Sequence, residues 1–403
     1  MLTENRRSRA HIDVPLILMV AAMCLFGVLA VCVATFSTDS SAENLLGHIA
    51  ESSFALRQCF FLLIAPVVLL VIMNIPYDLL RRFTPTVYYG ATILIAVVWV
   101  FNRAEGVKQW LDIIWGFTIQ PTEFAKLSII LMLARKLSMA ERPMSDFREI
   151  VRVLLLVMVP GVIILASGET GSLLVIVFLA AVMMFFSNVP MKVILTLAAI
   201  VILGALALYG FMVATGSDDY RLARIMAFVD PSMSPLDDAY QQTKSKMAIG
   251  SGGVDGIGMF VNGAISQLNY VPADWTDFIY ASIGEAWGFV GCVLVLAGYL
   301  AIILRMVYLA LFTRDRYGML IITGVIGMLL FHVFENIGMT LGLMPITGIP
   351  LPFLSYGGSN MVTNIGGIAL VLNVTKNRSL SGSVLTPQTR VNPYTFGKRK
   401  KRS

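Results

Sequence analysis

The sequence has 403 residues, of which 57% are hydrophobic and only 13% charged, and its mean hydropathy is +0.79. Soluble globular proteins are about a quarter charged, so this composition excludes a soluble, disordered, collagen-like or disulfide-rich secreted chain. The four cysteines and three histidines form no CxxC motif and no Cys/His cluster. The sequence therefore predicts neither a metal site of the protein nor a disulfide framework. What remains is a polytopic membrane protein.

Ten apolar runs follow one another along the chain. A transmembrane helix needs about 20 predominantly apolar residues, so ten such helices would use about half of the chain. The expected fold is an all-α polytopic membrane protein with about ten transmembrane helices, of which the fourth and sixth are short. The runs cover residues 14–36, 55–75, 85–101, 122–137, 150–167, 172–188, 190–214, 278–305, 317–341 and 360–375.

The distribution of basic residues predicts how the chain is oriented. With a cytoplasmic N-terminus and alternating runs, 22 of the 30 Lys and Arg residues lie in cytoplasmic segments and six lie in external ones. Cytoplasmic loops carry an excess of Lys and Arg, so this split indicates ten spans with both termini inside. Residues 1–375 would form the membrane domain. Residues 376–403 would form a basic cytoplasmic tail, which we expect to be disordered and to contact anionic lipid rather than nucleic acid.

Two segments between the runs stand out. The connection at 215–276, between the seventh and eighth spans, is predicted to be a large external loop, and its spaced aromatic and aliphatic residues favour an ordered one. Within it, the glycine-dense stretch 248–258 lacks the Gly-Lys-Ser/Thr of a phosphate-binding loop and indicates close approach of the backbone to a ligand or another segment. Three prolines and a glycine pair predict rigid, non-helical backbone at 344–359.

Asp277 stands where the long loop re-enters the membrane as the eighth span. An aspartate in this place either caps the helix or supplies a partly desolvated carboxylate that can act as a general base. Glu285 follows eight residues later, about two helical turns deeper, so both carboxylates could border one cavity. The residues alone leave the role of Asp277 open.

Other ionisable residues lie within the spans, where charge is costly and usually faces a cavity or a partner. Glu123 and Lys126 are three residues apart and share a helix face, which suits a structural pair and a functional pair equally. His332, Glu335 and Asn336 also share a face, and we expect them to hydrogen-bond to one another.

Three segments resemble the SEDS family, the shape, elongation, division and sporulation proteins that include RodA, FtsW and SpoVE. Residues 120–127 read QPTEFAKL, similar to the family's Q-P-S/T-E-F-A-K-L. Residues 240–253 contain YQ followed by AIGSGG. The most specific match is 336–359, which contains NIGM, GLMPITG and LPFLSYGGS. The resemblance covers nearly the whole chain, and the variant GIPLPF with the short N-terminus favours the RodA branch.

The resemblance implies a peptidoglycan glycosyltransferase that polymerises lipid II outside the membrane, for cell elongation and shape or for division. It also implies a class B penicillin-binding protein as partner, beside other proteins of the elongation or division complex. Asp277 matches the aspartate of the family's P-E-x-H-T-D-F motif, which is taken as catalytic, and this favours the base over the cap. The alternatives are a lipid II flippase, which needs polar groups through the whole membrane depth, and a catalytically inactive scaffold subunit.

Substrate contacts are expected around this base. The leaving pyrophosphate needs cations, which Arg221, Arg224, Lys126 or a divalent ion (Mg²⁺ or Mn²⁺) could supply. The predicted substrate-binding residues are Glu123, Lys126, Arg221, Arg224, Gln267, Thr276, Glu285, Ser355 and Tyr356.

The sequence departs from the family pattern in three places. Residues 272–278 read PADWTDF, without the motif's Glu and His. The family's G-x-G-K-G ends here as GIG at 256–258, and its Q-P-D-L-G-T reads SGETGS at 167–172. These departures bear on substrate contacts more than on the reaction.

Overall fold

The structure, a computed structural model, describes residues 12–36, 45–101, 110–112, 118–139, 144–215, 236–266 and 274–377, with residues 224, 228, 268 and 270–271. Most of the predicted tail and residues 216–223 and 229–235 of the long loop lie outside the described residues. In the described part of the chain, nearly all regular structure is helical. This confirms the all-α membrane fold.

Each of the ten apolar runs forms one helix, and among the described residues two further helices and a two-stranded sheet lie between them. The strands β1 (Leu111–Asp112) and β2 (Thr118–Ile119) pair antiparallel. The helices are α1 (Val14–Ala34), α2 (Leu45–Glu51), α3 (Ser53–Asn74), α4 (Tyr77–Phe101), α5 (Pro121–Ser138), α6 (Phe147–Ser167), α7 (Thr170–Phe186), α8 (Met191–Ala214), α9 (Leu236–Ser251), α10 (Ile279–Leu311), α11 (Arg316–Thr340) and α12 (Gly358–Asn377).

Seven of the described helices are long and apolar enough to cross a membrane: α1, α3, α4, α6, α8, α10 and α11. The helix α7 is apolar but has only 17 residues, and α5 and α12 carry more polar sequences. The chain is therefore a membrane protein with several spanning helices, and the count of ten crossings stays a prediction.

Helix α11 forms the centre of the bundle: 72% of its most apolar 18-residue stretch is buried inside the protein. It packs against α5, α7, α10 and α12. Its half between Leu320 and Leu329 contributes almost only apolar side chains to the core, whereas its other half buries His332, Glu335 and Asn336. Polar groups of this helix are thus concentrated towards the end that leads into residues 341–357.

Asp13 and Arg305 hold the opposite end of the bundle together. The Asp13 carboxylate accepts a hydrogen bond from the Leu16 amide (3.0 Å) and so caps α1. The same carboxylate receives two hydrogen bonds from the Arg305 guanidinium near the end of α10 (3.1 and 2.7 Å). This bidentate pair joins α1 to α10.

The helix α10 is interrupted at Gly288, where φ is 61° and ψ is −159°. The glycine-dense segment runs along this break and bonds to it through backbone groups: Ile257 and Gly258 donate to the carbonyls of Glu285 and Ala286 (3.0 and 3.1 Å). A Cβ at Gly252 or Gly256 would overlap backbone atoms of α10. The glycines therefore allow backbone-to-backbone contact, which supplies the hydrogen bonds that an interrupted membrane helix loses.

The proline-rich segment, residues 344–359, returns into the bundle as irregular backbone up to the start of α12. Leu351, Phe353 and Leu354 are fully buried, and the Tyr299 hydroxyl of α10 donates to the Pro352 carbonyl. Gly27 of α1 lies against this segment so closely that a Cβ there would overlap the Phe353 carbonyl oxygen.

This contact gives a test of the fold. We expect Gly27→Ala to lower the thermal unfolding midpoint in detergent by several degrees, because the added methyl group must displace buried backbone. Gly90→Ala in α4 is the matched control, since a Cβ at Gly90 meets nothing within 4 Å. That variant should be neutral or slightly more stable. Equal midpoints for the two variants would contradict the packing of α1 against the proline-rich segment.

Candidate active site

A cavity of about 300 Å³ lies where α5, α7, the start of α10 and the proline-rich segment meet. It brings together five residues that the sequence predicts for the site: Glu123, Lys126, Thr276, Asp277 and Tyr356. The other residues lining it are Trp110, Gln120, Ser172, Gly348, Ile349, Pro350, Gly357, Ser359 and Asn360.

Asp277 is half-buried and presents its carboxyl group to this cavity. The helix α10 begins at Ile279 with Phe278 in the cap position and no side-chain cap bond, so the interpretation of Asp277 as the helix cap is wrong. Gly348, which has a φ of 71°, lies beside the carboxylate, and a Cβ there would be 3.5 Å from Asp277 Oδ2. The Asp277 carboxylate therefore borders the open cavity and a stretch of backbone that carries no side chain at Gly348.

Burial raises the pKa of Asp277 to about 6, and the charge of Arg224 opposes this rise. Although part of the side chain borders the cavity, the protein around it removes enough water to disfavour the charged form. A carboxylate with a pKa near 6 is ionised above neutral pH and still basic enough to accept a proton in a transition state. Asp277 thus has the electrostatics expected of a general base.

Glu123 and Lys126 form the predicted contact, and a third residue joins them. Lys126 Nζ lies 2.7 Å from Glu123 Oε1 and 3.0 Å from His332 Nε2 of α11, and all three side chains are almost completely buried. Because an ammonium group only donates, His332 Nε2 accepts and its Nδ1 donates to the Met328 carbonyl (2.6 Å). The ammonium of Lys126 is therefore fixed at the cavity by two partners.

His332, Glu335 and Asn336 do not bond to one another as expected, because their side chains bond to residues outside α11. His332 contacts Lys126, and Glu335 interacts with the Thr347 hydroxyl. The Asn336 side chain donates to the carbonyls of Asp277 (2.7 Å) and Ile349 (2.8 Å). Asn336 thus ties the backbone of Asp277 to the proline-rich segment.

Ser355 has a positioning role rather than the predicted substrate contact. Its hydroxyl donates to the Thr276 carbonyl (2.6 Å) and accepts from the Leu351 amide (2.8 Å), and the side chain is fully buried outside the cavity wall. The next residue, Tyr356, donates its amide to the Trp275 carbonyl (2.9 Å) and lines the cavity with its ring. These bonds fasten residues 275–277 to the proline-rich segment.

Glu285 does not border the cavity of Asp277, contrary to the expectation. Its carboxylate accepts hydrogen bonds from the amides of Ile265 and Ser266 (2.6 and 2.9 Å) and from the Ser266 hydroxyl (2.6 Å). The position of Glu285 on the helix directs its side chain towards the long loop, and these hydrogen bonds anchor the loop at Ile265 and Ser266. Asp274 is also buried away from the cavity, where burial raises its pKa and a hydrogen bond from Ser282 (3.3 Å) opposes the rise.

Arg221 and Gln267 lie outside the described residues. Arg224 is described, and its charge acts on Asp277. Among the residues that the structure describes, no three or more His, Cys, Asp or Glu side chains are arranged to hold a metal ion.

Sequence reasoning missed a polar group beside the cavity. Gln120 lines it and donates to Glu169 Oε1 (2.8 Å), and Glu169 is buried at the start of α7. Burial raises the pKa of Glu169, and the hydrogen bond from Gln120 opposes that rise. The sequence did carry a signal for this pair. Gln120 is the first residue of the motif QPTEFAKL, and Glu169 lies in SGETGS, one of the segments that depart from the family pattern.

Comparisons with known proteins identify the family of this chain. Residues 14–380 match the family described as cell cycle protein, the FtsW, RodA and SpoVE proteins. The chain is 30% identical to the peptidoglycan glycosyltransferase MrdB of Escherichia coli, covering 93% of this chain and 97% of that one. It is 33% identical to stage V sporulation protein E of Bacillus subtilis, covering 80% and 87%.

Solved structures give the same result. A chain from work titled "Structural coordination of polymerization and crosslinking by a peptidoglycan synthase complex" is 27% identical, has a TM-score of 0.73, and is matched over 98% of its length and 91% of this chain. RodA of Thermus thermophilus has a TM-score of 0.65 at 27% identity, over 97% of its length and 91% of this chain. The chain belongs to the FtsW/RodA/SpoVE family, the SEDS proteins. Its assignment to the RodA branch stays a prediction, because relatives from all three groups match.

The Glu123–Lys126 pair yields a double-mutant test. We expect Glu123→Gln or Lys126→Met alone to destabilise the protein by about 3 kcal/mol or more, because each leaves a buried charge without its partner. The double variant should lose less than the two single losses combined, and the coupling is read from unfolding midpoints of all four proteins. Because Lys126 also contacts His332, the double variant should recover only partly. Strictly additive losses would show that the two side chains are not coupled.

Proposed function

We propose that this chain is a peptidoglycan glycosyltransferase that polymerises lipid II into β-1,4-linked glycan strands. The observation that carries the proposal is a half-buried carboxylate, Asp277, with a pKa raised to about 6, facing a polar cavity that also holds the buried ammonium of Lys126. Relatives that match over most of the chain are named peptidoglycan glycosyltransferases, which supports the same activity.

The reaction needs one base and one displacement. Asp277 takes the proton of the acceptor's GlcNAc 4-hydroxyl as that oxygen attacks C1 of the donor's MurNAc. The bond from C1 to undecaprenyl pyrophosphate breaks with its electron pair on the leaving group. An α-linked donor thereby gives a β-linked product by inversion, which parallels inverting glycoside hydrolysis in its use of a carboxylate base. The Asp277 proton then passes to solvent.

Cations stabilise the charge that the leaving pyrophosphate carries. Lys126 is fixed in the cavity wall, where Glu123 and His332 orient its ammonium. We assign Arg224, whose charge acts on Asp277, and Arg221 to the same task. A divalent cation such as Mg²⁺ or Mn²⁺, held by one or two carboxylates together with the phosphates of the substrate, would supply the same charge. Among the described residues, no group of three His, Cys, Asp or Glu side chains forms a metal site of its own.

The orientation of the site completes the proposal. Both termini lie in the cytoplasm, and the cavity faces the outer side of the cell membrane, where lipid II and the growing strand are found. The charge distribution of the sequence supports this orientation. A class B penicillin-binding protein is the proposed partner, and the match to a complex whose title couples polymerisation with crosslinking supports it. The process served is cell elongation, shape or division.

The flippase alternative requires polar groups through the full depth of the bundle. The buried residues of α11 between Leu320 and Leu329 are almost entirely apolar, and its polar residues cluster at the end near Asp277. Along this central helix, the distribution of polar residues fits a reaction at one membrane face better than a path across the membrane.

Glycan synthesis from lipid II by Asp277→Asn and by the wild type tests the function. Loss of a general base typically costs about 10²–10⁴ in rate, so we expect the variant to make almost no polymer. The fold should survive, because Asn336 bonds to the backbone of Asp277 and not to its carboxylate. Asp255→Asn is the control, since Asp255 is exposed in the glycine-dense segment.

Both variants and the wild type are assayed alone and with the class B penicillin-binding protein of the same genome. Polymer from Asp277→Asn at more than about a tenth of the wild-type rate would exclude Asp277 as the base. Absence of polymer from the wild type in both conditions would contradict the enzyme and favour the scaffold.

A further inference from the structure

An exposed pair of tyrosine rings holds a lysine between them on the surface of α9. Lys244 Nζ lies 5.4 Å from the centre of the Tyr240 ring and 4.8 Å from that of the Tyr270 ring. The two tyrosines are 41% and 43% exposed. An ammonium over two aromatic faces orders both rings before any ligand arrives.

This surface is attached rigidly to the bundle. On the buried face of α9, the Gln242 side chain donates to the carbonyls of Met339 and Met344 (3.2 and 3.0 Å), and the Ser245 hydroxyl donates to the Thr340 carbonyl (2.9 Å). The tyrosines and the lysine therefore stand on a helix whose opposite side is fixed to the end of α11.

The segment that carries Tyr270 also packs beside the site of the proposed reaction. Val271, next to Tyr270, is buried in a small apolar cluster with Phe278, and Phe278 directly follows Asp277. The chain segment that carries the second tyrosine thus packs against the residue adjoining the base.

We propose that Tyr240, Lys244 and Tyr270 bind the growing glycan strand after it leaves the cavity. The inference rests on the proposed function and assigns a product site to it. The apolar faces of sugar rings pack on exposed aromatic rings, which offer a large contact area at low conformational cost. The peptide stems of the strand carry carboxylates, which complement the charge of Lys244.

A second attachment point changes the course of polymerisation. A strand held at both the cavity and this surface is kept at high effective concentration when one contact opens, so it is released less often between additions. The consequence is longer strands from each initiation.

The test compares strand lengths at equal consumption of lipid II. We expect Tyr240→Ala/Tyr270→Ala to shorten the mean strand about fivefold or more, because it removes the second attachment. Tyr240→Phe/Tyr270→Phe keeps both rings and should retain long strands. Tyr308→Ala is the matched control: Tyr308 is an exposed tyrosine with an arginine over its ring, towards the opposite end of α10, and strand length should not change.

A binding assay separates this inference from the proposed function, because it needs no turnover. Soluble glycan fragments released by a muramidase are titrated onto the detergent-solubilised protein. The double Ala variant should bind them at least about fivefold more weakly. Lys244→Gln should weaken the binding of fragments that carry stem peptides more than that of fragments whose stem peptides an amidase has removed. If the double Ala variant makes strands as long as those of the wild type and binds the fragments equally well, the inference is overturned. Unchanged length and binding with easier extraction from the membrane would identify the tyrosines as lipid anchors instead.

Discussion

Irregular backbone inside a membrane protein must find its hydrogen bonds within the protein, because the surrounding hydrocarbon offers none. Between α11 and α12, two of the side chains that meet this requirement are Asn336 and Ser355, which bond both to the proline-rich segment and to the carbonyls of Asp277 and Thr276. The hydrogen bonds that satisfy the segment therefore also fix the position of Asp277. Its carboxylate remains available to the cavity because the backbone of the same residue bears the structural bond.

The same requirement shapes the other side of the site. Gly288 interrupts α10, and the glycine-dense segment supplies partners to the backbone groups at the break. The Glu285 carboxylate then binds the amides of Ile265 and Ser266, which anchors the following stretch of the loop. Two irregular segments thus support the point where the chain re-enters the membrane. The proline-rich segment is held through the side chains of Asn336 and Ser355. The glycine-dense segment and the loop after it are held through backbone hydrogen bonds and the Glu285 carboxylate.

The sequence predicts those features that depend on neighbours along the chain. Apolar runs locate the ten helices, and the i, i+3 spacing of Glu123 and Lys126 correctly predicts their contact. Features that depend on which helices adjoin are not predictable in this way. The contact between Lys126 and His332 joins α5 to α11. The contact of Glu285 with the amides of Ile265 and Ser266 depends on where the long loop lies. Helical spacing gives the direction of a side chain but does not identify what occupies that direction.

The dependence of polymerisation on pH tests the central claim, that Asp277 is a base whose ionisation is governed by burial and by Arg224. The base must be ionised, so kcat/KM for lipid II should fall as the pH drops through about 6. Arg224 favours the ionised carboxylate, so in Arg224→Gln the acid limb should move to higher pH. A profile that stays flat between about pH 5 and 8, or a limb that does not move in the variant, would contradict the account.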